Sequence, residues 1–469
     1  MSFNSFPFLL VFLPLVLAGF ALFARLGPVW AKSWLIAASL AFYAVGAPRF
    51  LPLLILSVAG NLVLLRIVHR SARRRAWTTA GLAVNLSVLA WFKYIEQRTP
   101  LGLSFFTFTQ IGCLLYHADG ETKPPAVADY ALFAAFFPAL MAGPILNPGD
   151  MLPRFAAGRP WRLTAKALSV GSGFFIIGLL KKTLLADPLA DVVSAGFGDP
   201  AHLGLFAAWQ AASSYSLMLY FDFSGYTDMA IGLGWMVGLR FPDNFGQPYK
   251  APSVIAYWQR WHMSLTRFLV GNIHAPATLA ILRRRRRLGL RIDAAAQRTP
   301  RGFVGMIAAP IVVTMVLVGL WHGAAWPFVM FALLHAGFLL INHAWRLTNA
   351  PVLPPLLSIS LTYACVLIAS VIFGSNTLAG AAAMLSGMAG LHGMEPFRPD
   401  IHTAAEVAWL LALYGIVWFA PPTRPFMLAD PSARFGWRPT APFALAMGCA
   451  ATIGLLGAGG TAEFLYFRF

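Results

Sequence analysis

Two histidines stand among tryptophans in this chain. Tyr257 to Leu269 reads YWQRWHMSLTRFL and carries His262, and Gly319 to Trp326 reads GLWHGAAW and carries His322. An imidazole that is neutral near pH 7 can take a proton from a hydroxyl or hold a hydrogen bond to a reacting oxygen, which is the equipment of general-base catalysis. An ionisable side chain at membrane depth is expensive and marks a functional site by default. For a lone membrane histidine the bland alternative is an interhelical hydrogen bond. The second histidine shifts the weight: two imidazoles facing one cavity would offer a base and a hydrogen-bonding partner, with His322 the first candidate for a functional role. Spacing alone does not decide whether the two converge.

The elements that must position them are set by composition. Of 469 residues, 58% are hydrophobic and 11% charged, and the mean hydropathy is +0.68, which leaves too little polar surface for a soluble globule. The expectation is an all-α polytopic membrane protein, a single integral-membrane domain over residues 1–469. The formal charge of +18 does not indicate nucleic acid, because no basic stripe interleaves with an aromatic reading surface. Basic residues of membrane proteins collect in short cytoplasmic loops instead. Cys113, Cys365 and Cys449 lie far apart in apolar surroundings. They fit neither a zinc site nor a disulfide framework.

Phe6 to Phe23 is expected to be a retained helix with its N-terminus outside, since no Lys or Arg precedes it and Arg25 and Lys32 follow. Continuing under the positive-inside rule, the cluster Arg66, Arg70, Arg73, Arg74 and Arg75 marks a cytoplasmic loop. Apolar runs continue to Ala441–Gly457, several shorter than the roughly 20 residues of a crossing, giving about 11 to 13 crossings or re-entrant pieces. Pro and Gly interruptions such as Ala142-Gly143-Pro144 suit half-helices buried in protein.

The longest polar interruption, Asn272 to Arg301, holds five successive arginines, Arg283 to Arg287. It reads as a cytoplasmic basic loop against anionic headgroups. The sharper reading is docking of an anionic donor, an acyl-CoA or an acidic carrier protein.

Between Gly302 and Trp345 there is no Asp, Glu, Lys or Arg, although two helix-length runs must be joined there. The joint is Gly319 to Pro327, and its lack of polar residues places His322 in an enclosed setting. Gly323 and Pro327 supply the freedom and the break of a turn. His335 lies 13 residues beyond His322, about 220° around an ideal helix, so it is expected to face elsewhere. His335 and His343 are read as structural or accessory.

Acidic residues are scarce, which makes Asp222 and Asp228 in YFDFSGYTD informative. Each needs a partner if enclosed, and Lys181, Lys182, Arg240 and Arg260 are the candidates. Structural pairing is the leading role, and positioning of an acceptor hydroxyl the functional alternative.

These pieces, in order, resemble the membrane-bound O-acyltransferases, and within them the bacterial alginate O-acetyltransferase branch, with teichoic-acid D-alanyl transfer more distant. The resemblance runs through Phe3–Pro14, Ala41–Tyr43, Trp91–Tyr94, Pro100–Phe108, Phe136–Pro144, Gly178–Lys182, Tyr220–Tyr226, Arg240–Phe245, Trp258–His262, Leu320–Gly323 and Phe464–Phe469. The chain departs from that pattern after Ser264, where Arg267 to His274 and the arginine run stand, and at Leu115 to Gly120.

The resemblance implies a ring of helices around a thinned centre, with a tunnel where a cytoplasmic acyl thioester meets an acceptor hydroxyl from the other face. The signature histidine of the family falls on His322 and the second histidine of the branch on His262. Trp258, Arg260, Trp261, Ser264, Asp222, Tyr226 and Trp321 become candidates for the tunnel wall. No bound cofactor or metal is implied; the donor would be an acyl-CoA or acyl-carrier thioester. The implied partners are membrane lipids and a polysaccharide or periplasmic acyltransferase partner, in a multi-pass protein of the bacterial inner membrane. A transporter or flippase of acyl groups or glycans without chemistry is the competing class; such proteins often carry two related halves, and no repeat of Phe136-Phe-Pro or Leu320-Trp-His-Gly occurs elsewhere.

Overall fold

Long apolar runs fold into helices that begin where proline permits. The spans Pro28–Gly46, Pro300–His322 and Pro355–Gly374 all start on proline, whose missing N–H falls where no intrahelical acceptor exists. The structure, a computed structural model, describes residues 1–156, 161–348, 351–394, 401–429, 436–459 and 464–465. Of the terminal Phe464–Phe469 run, only the first two residues are among them. Eight of the described helices are long and apolar enough to cross a membrane. Four shorter apolar helices, Leu103–Tyr116, Leu378–Met388, Ala404–Phe419 and Ala441–Leu456, accompany them, a total within the range expected from the sequence. Leucines such as Leu10, Leu15, Leu22 and Leu26 stand exposed along the first span, as lipid-facing side chains do. This is an all-α, multi-pass membrane protein.

The chain divides into two compact units. The first comprises Met1–Leu184, Asp222–Asn244 and Pro421–Arg468. Its core is a knot of rings, with Phe3 at 5.0 Å from Phe8 and Phe42 at 5.3 Å from Phe137. The helix Ala165–Leu180 packs on the later half of Leu205–Met236 through paired glycines. A Cβ on Gly178 would lie 2.5 Å from the Gly225 carbonyl oxygen, and one on Gly232 equally close to that of Gly171. Small residues two turns apart are what such close backbone crossings in membranes require. Asn61 and Asn85 exchange amide hydrogen bonds of 3.1 and 2.8 Å, joining Leu51–Arg70 to Arg74–Ala90.

The second unit comprises Leu185–Phe221 and Phe245–Ala420. Its centre is a helical hairpin, Ala309–His322 and Trp326–Leu347. Ile311, Met315, Ala332 and Ala336 form the seam, with Trp258 and Phe331 packed against it. A Cβ on Gly319 would lie 2.7 Å from the Phe328 carbonyl oxygen and 2.9 Å from the Ala332 Cβ, so the two helices meet where only a hydrogen fits. The stretch from Asn272, expected to be a loop, is helical as far as Arg287 and continues the helix begun at Met263; a short capped turn, Ala294–Gln297, follows.

Candidate active site

His322 is the last residue of its helix. The chain reverses over Gly323 to Ala325 before the next helix starts at Trp326, so the charge-free joint inferred from sequence is a tight helical turn. The imidazole is 6% exposed and boxed by rings: Phe373 at 4.8 Å and 84°, Phe328 at 6.0 Å, Phe331 at 6.3 Å and 90°, and Trp321 at 4.6 Å. Aromatic rings packed around the imidazole keep bulk water from it.

His335 does not face away from this cluster. Its ring is 4.7 Å from Phe331 and 5.1 Å from Trp258, and it stacks on Tyr257 at 6.1 Å and 8°. The helical-wheel expectation fails because it presumes one continuous helix; the reversal at Gly323 folds the second helix back along the first. A run of ring contacts thus leads from His322 through Phe331 and His335 to Trp258.

Trp258 ends the short helix Val254–Trp258, which Ser253 caps by accepting the Ala256 N–H at 3.2 Å. Four residues on, His262 sits at φ 43° and ψ 53°, immediately before the helix Met263–Leu269, with 1% exposure. A side chain other than Gly, Asn or Asp in the left-handed region is strained by roughly 1 to 2 kcal/mol. Such strain persists only where the surroundings fix it, and it collects at functional sites. Here the surroundings are specific. Trp261 stacks on Tyr257 at 5.8 Å and 15° and meets the Phe245 edge at 5.0 Å. The Gly246 N–H donates to the Arg260 carbonyl at 2.8 Å, and Arg260 Nη1 donates to the Lys250 carbonyl at 3.2 Å. That bond engages one of the five N–H groups of the guanidinium. Ser264, the second residue of the following helix, is buried.

Sequence reasoning missed a hydroxyl network beneath Trp261. Tyr249 stacks on Trp261 at 6.4 Å and 12° and donates to the Ser216 carbonyl at 2.7 Å, while Ser216 Oγ donates to Tyr249 at 2.9 Å. Tyr363 reaches Ser216 Oγ at 3.4 Å and the Tyr414 hydroxyl at 2.8 Å. These residues come from four separate segments, and no local spacing announces them.

Asp222 and Tyr226 belong to the first unit, whereas the other candidates belong to the second. Asp222 pairs with Lys182 at 2.9 Å and accepts the Leu465 N–H at 2.7 Å. Asp228 pairs with Lys181 at 2.6 Å and accepts from Thr423 at 2.7 Å. The two lysines are therefore the partners that the sequence left open among four cations; Arg240 lies over the Trp235 ring at 4.6 Å instead. Tyr226 is stacked between Phe3 at 4.8 Å and Phe464 at 4.6 Å.

Comparison with known proteins gives the chain a family. The model of the membrane-bound O-acyltransferase family matches residues 77–289, a range that contains His262 and ends before His322. The chain is 32% identical to the peptidoglycan O-acetyltransferase of Helicobacter pylori, over 84% of this chain and 80% of the relative. It is 34% identical to a protein of Pseudomonas aeruginosa named probable alginate O-acetylase AlgI, over 89% and 81% of the two chains. The teichoic acid D-alanyltransferase of Bacillus subtilis is 26% identical over 50% of this chain and 57% of its own length. Identities of 32% and 34% over at least 80% of both chains place this enzyme: it is an O-acyltransferase, and the chain belongs to the membrane-bound O-acyltransferase family.

Proposed function

We propose that this enzyme moves an acetyl group from a thioester donor on the cytoplasmic side to a hydroxyl of an exported polysaccharide, or to a periplasmic partner that acetylates it, in the bacterial inner membrane. His322, held at a helix end inside a box of Phe328, Phe331 and Phe373, carries the reading. The names of the relatives, peptidoglycan and alginate O-acetylation among them, support acetyl as the group and a bacterial glycan as the acceptor.

In the reaction, His322 takes the proton from the acceptor hydroxyl as its oxygen attacks the thioester carbonyl. The C–O bond forms, the C–S bond breaks, and the departing thiolate receives the proton from the imidazolium. Base catalysis of this kind contributes about 10² to 10⁴ in rate. His262 and Arg260 orient the acyl carbonyl and stabilise the negative charge that develops on it. The ring box excludes water, which would otherwise consume the donor by hydrolysis.

The test is His322→Ala in proteoliposomes supplied with a labelled acetyl thioester and an acceptor glycan. Transfer is expected to fall by about 10² to 10⁴ with the folded protein retained. Transfer at the unsubstituted rate would remove the mechanism.

A further inference from the structure

The turn between Leu13–Leu26 and Pro28–Gly46 takes no part in the chemistry above. Gly27, at φ 126°, makes that turn, and Arg25 occupies the last helical turn before it. A cavity of about 470 Å³ opens at this point, walled by Arg25, Pro28, Trp161, Arg162, Leu163 and two alanines of the Leu13–Leu26 helix. Among the described residues no carboxylate lines it, and Arg25 and Arg162 bring two guanidinium groups to its wall. Behind it the Trp161 ring lies 5.5 Å from Lys32 Nζ. The Lys32 charge is already answered by Asp129 at 2.5 Å. Thr164, which caps the next helix by accepting the Ala167 N–H at 3.1 Å, fixes the chain direction just after Arg162 and Leu163.

The outside of the same turn is apolar. Leu22, Leu26, Val29 and Trp30 all stand exposed around it, with Trp30 stacked on Phe23 at 6.5 Å. The turn joins two helices of membrane-crossing length, which places it at a bilayer face. Indoles favour that level, and the Arg25 end is the one that the positive-inside rule assigns to the cytoplasm. Guanidiniums recognise phosphate oxygens through fixed N–H forks, and basic pockets beside membrane helices hold phospholipid headgroups. A free phosphate would use the arginines alone; a phospholipid headgroup uses them while its acyl chains continue into the bilayer that Leu22 and Leu26 already face.

We propose that this cavity binds the phosphodiester headgroup of an anionic phospholipid of the phosphatidylglycerol type, with its acyl chains along Leu22, Leu26 and Val29. The site is independent of the acyl-transfer reading.

The experiment uses the full chain in mild detergent, titrated separately with phosphatidylglycerol, phosphatidylcholine and inorganic phosphate, and followed by native mass spectrometry and thermal unfolding. Phosphatidylglycerol is expected to be retained and to raise the unfolding temperature, while the other two do neither. The double variant Arg25→Gln with Arg162→Gln should bind the anionic lipid about thirtyfold more weakly, at about fivefold per basic side chain. Ala24→Phe, which fills the cavity without altering charge, should lose the same binding. Equal retention by wild type and both variants would overturn the site, as would equal retention of phosphatidylcholine. Stabilisation by inorganic phosphate as strong as that by the lipid would overturn the lipid assignment.

Discussion

His322 and His335 share a ring. Phe331 stands edge-on to both, 6.3 Å from the first at 90° and 4.7 Å from the second at 72°. The two histidines therefore pack on one ring, although they sit on different arms of a helical hairpin.

Under the proposed mechanism that shared contact makes His335 a positioning residue, and another flat ring should fill the place. His335→Phe keeps contacts with Phe331 and Trp258 and removes the nitrogens. Transfer activity in proteoliposomes is expected to stay within a few fold of wild type, whereas His335→Ala should lower it by leaving a cavity in a well-packed cluster. A collapse of activity in the Phe variant alone would show that a nitrogen of His335 is needed.

The backbone of His262 separates strain from chemistry. His262→Gly relieves the left-handed conformation and His262→Ala keeps it, so the Gly variant should be more stable than the Ala variant by about 1 kcal/mol. Both lose the imidazole and should lose transfer alike. Thermal unfolding read alongside activity makes the distinction, and recovery of activity in either variant would remove His262 from the reaction.

Gly319 is the contact on which the hairpin closes. Gly319→Ala must displace either the Phe328 backbone or Ala332, and overpacking of this kind costs about 1 to 3 kcal/mol. The expected result is a lower unfolding temperature together with weaker transfer, because the same displacement shifts the rings around His322. An unchanged unfolding temperature would mean that the helices part at no cost.

The buried Asp222–Lys182 pair predicts a non-additive result. Asp222→Asn or Lys182→Met alone leaves one charge enclosed and should cost about 3 to 5 kcal/mol. The double variant should cost less than the sum of the two. Strict additivity in a thermal or denaturant series would show that the pair does not interact.

The enclosure of His322 was legible because membranes punish exceptions. A charge-free stretch from Gly302 to Trp345 with a Gly and a Pro at its joint had to join two helices without an aqueous loop, and His322 stands at that joint. Asp222 and Asp228 announced buried pairs for the same reason, though which cation each takes is a matter of three-dimensional approach. His335 was misread because angular arithmetic holds along one helix and not across a reversal. The arginine run was misread as a loop because polarity reports contact with water, whereas arginine is itself a good helix former. Tyr249, Ser216, Tyr363 and Tyr414 carry no local signal, since each is an ordinary residue until the fold joins them.

The helix that ends at His322 also acts as a ruler. The 23-residue span Pro300–His322 rises about 35 Å, slightly more than the roughly 30 Å of a hydrocarbon core. Under the proposed mechanism this length separates His322 from the Pro300 end of the span, so the reach required of a donor's thioester depends on the end from which it enters.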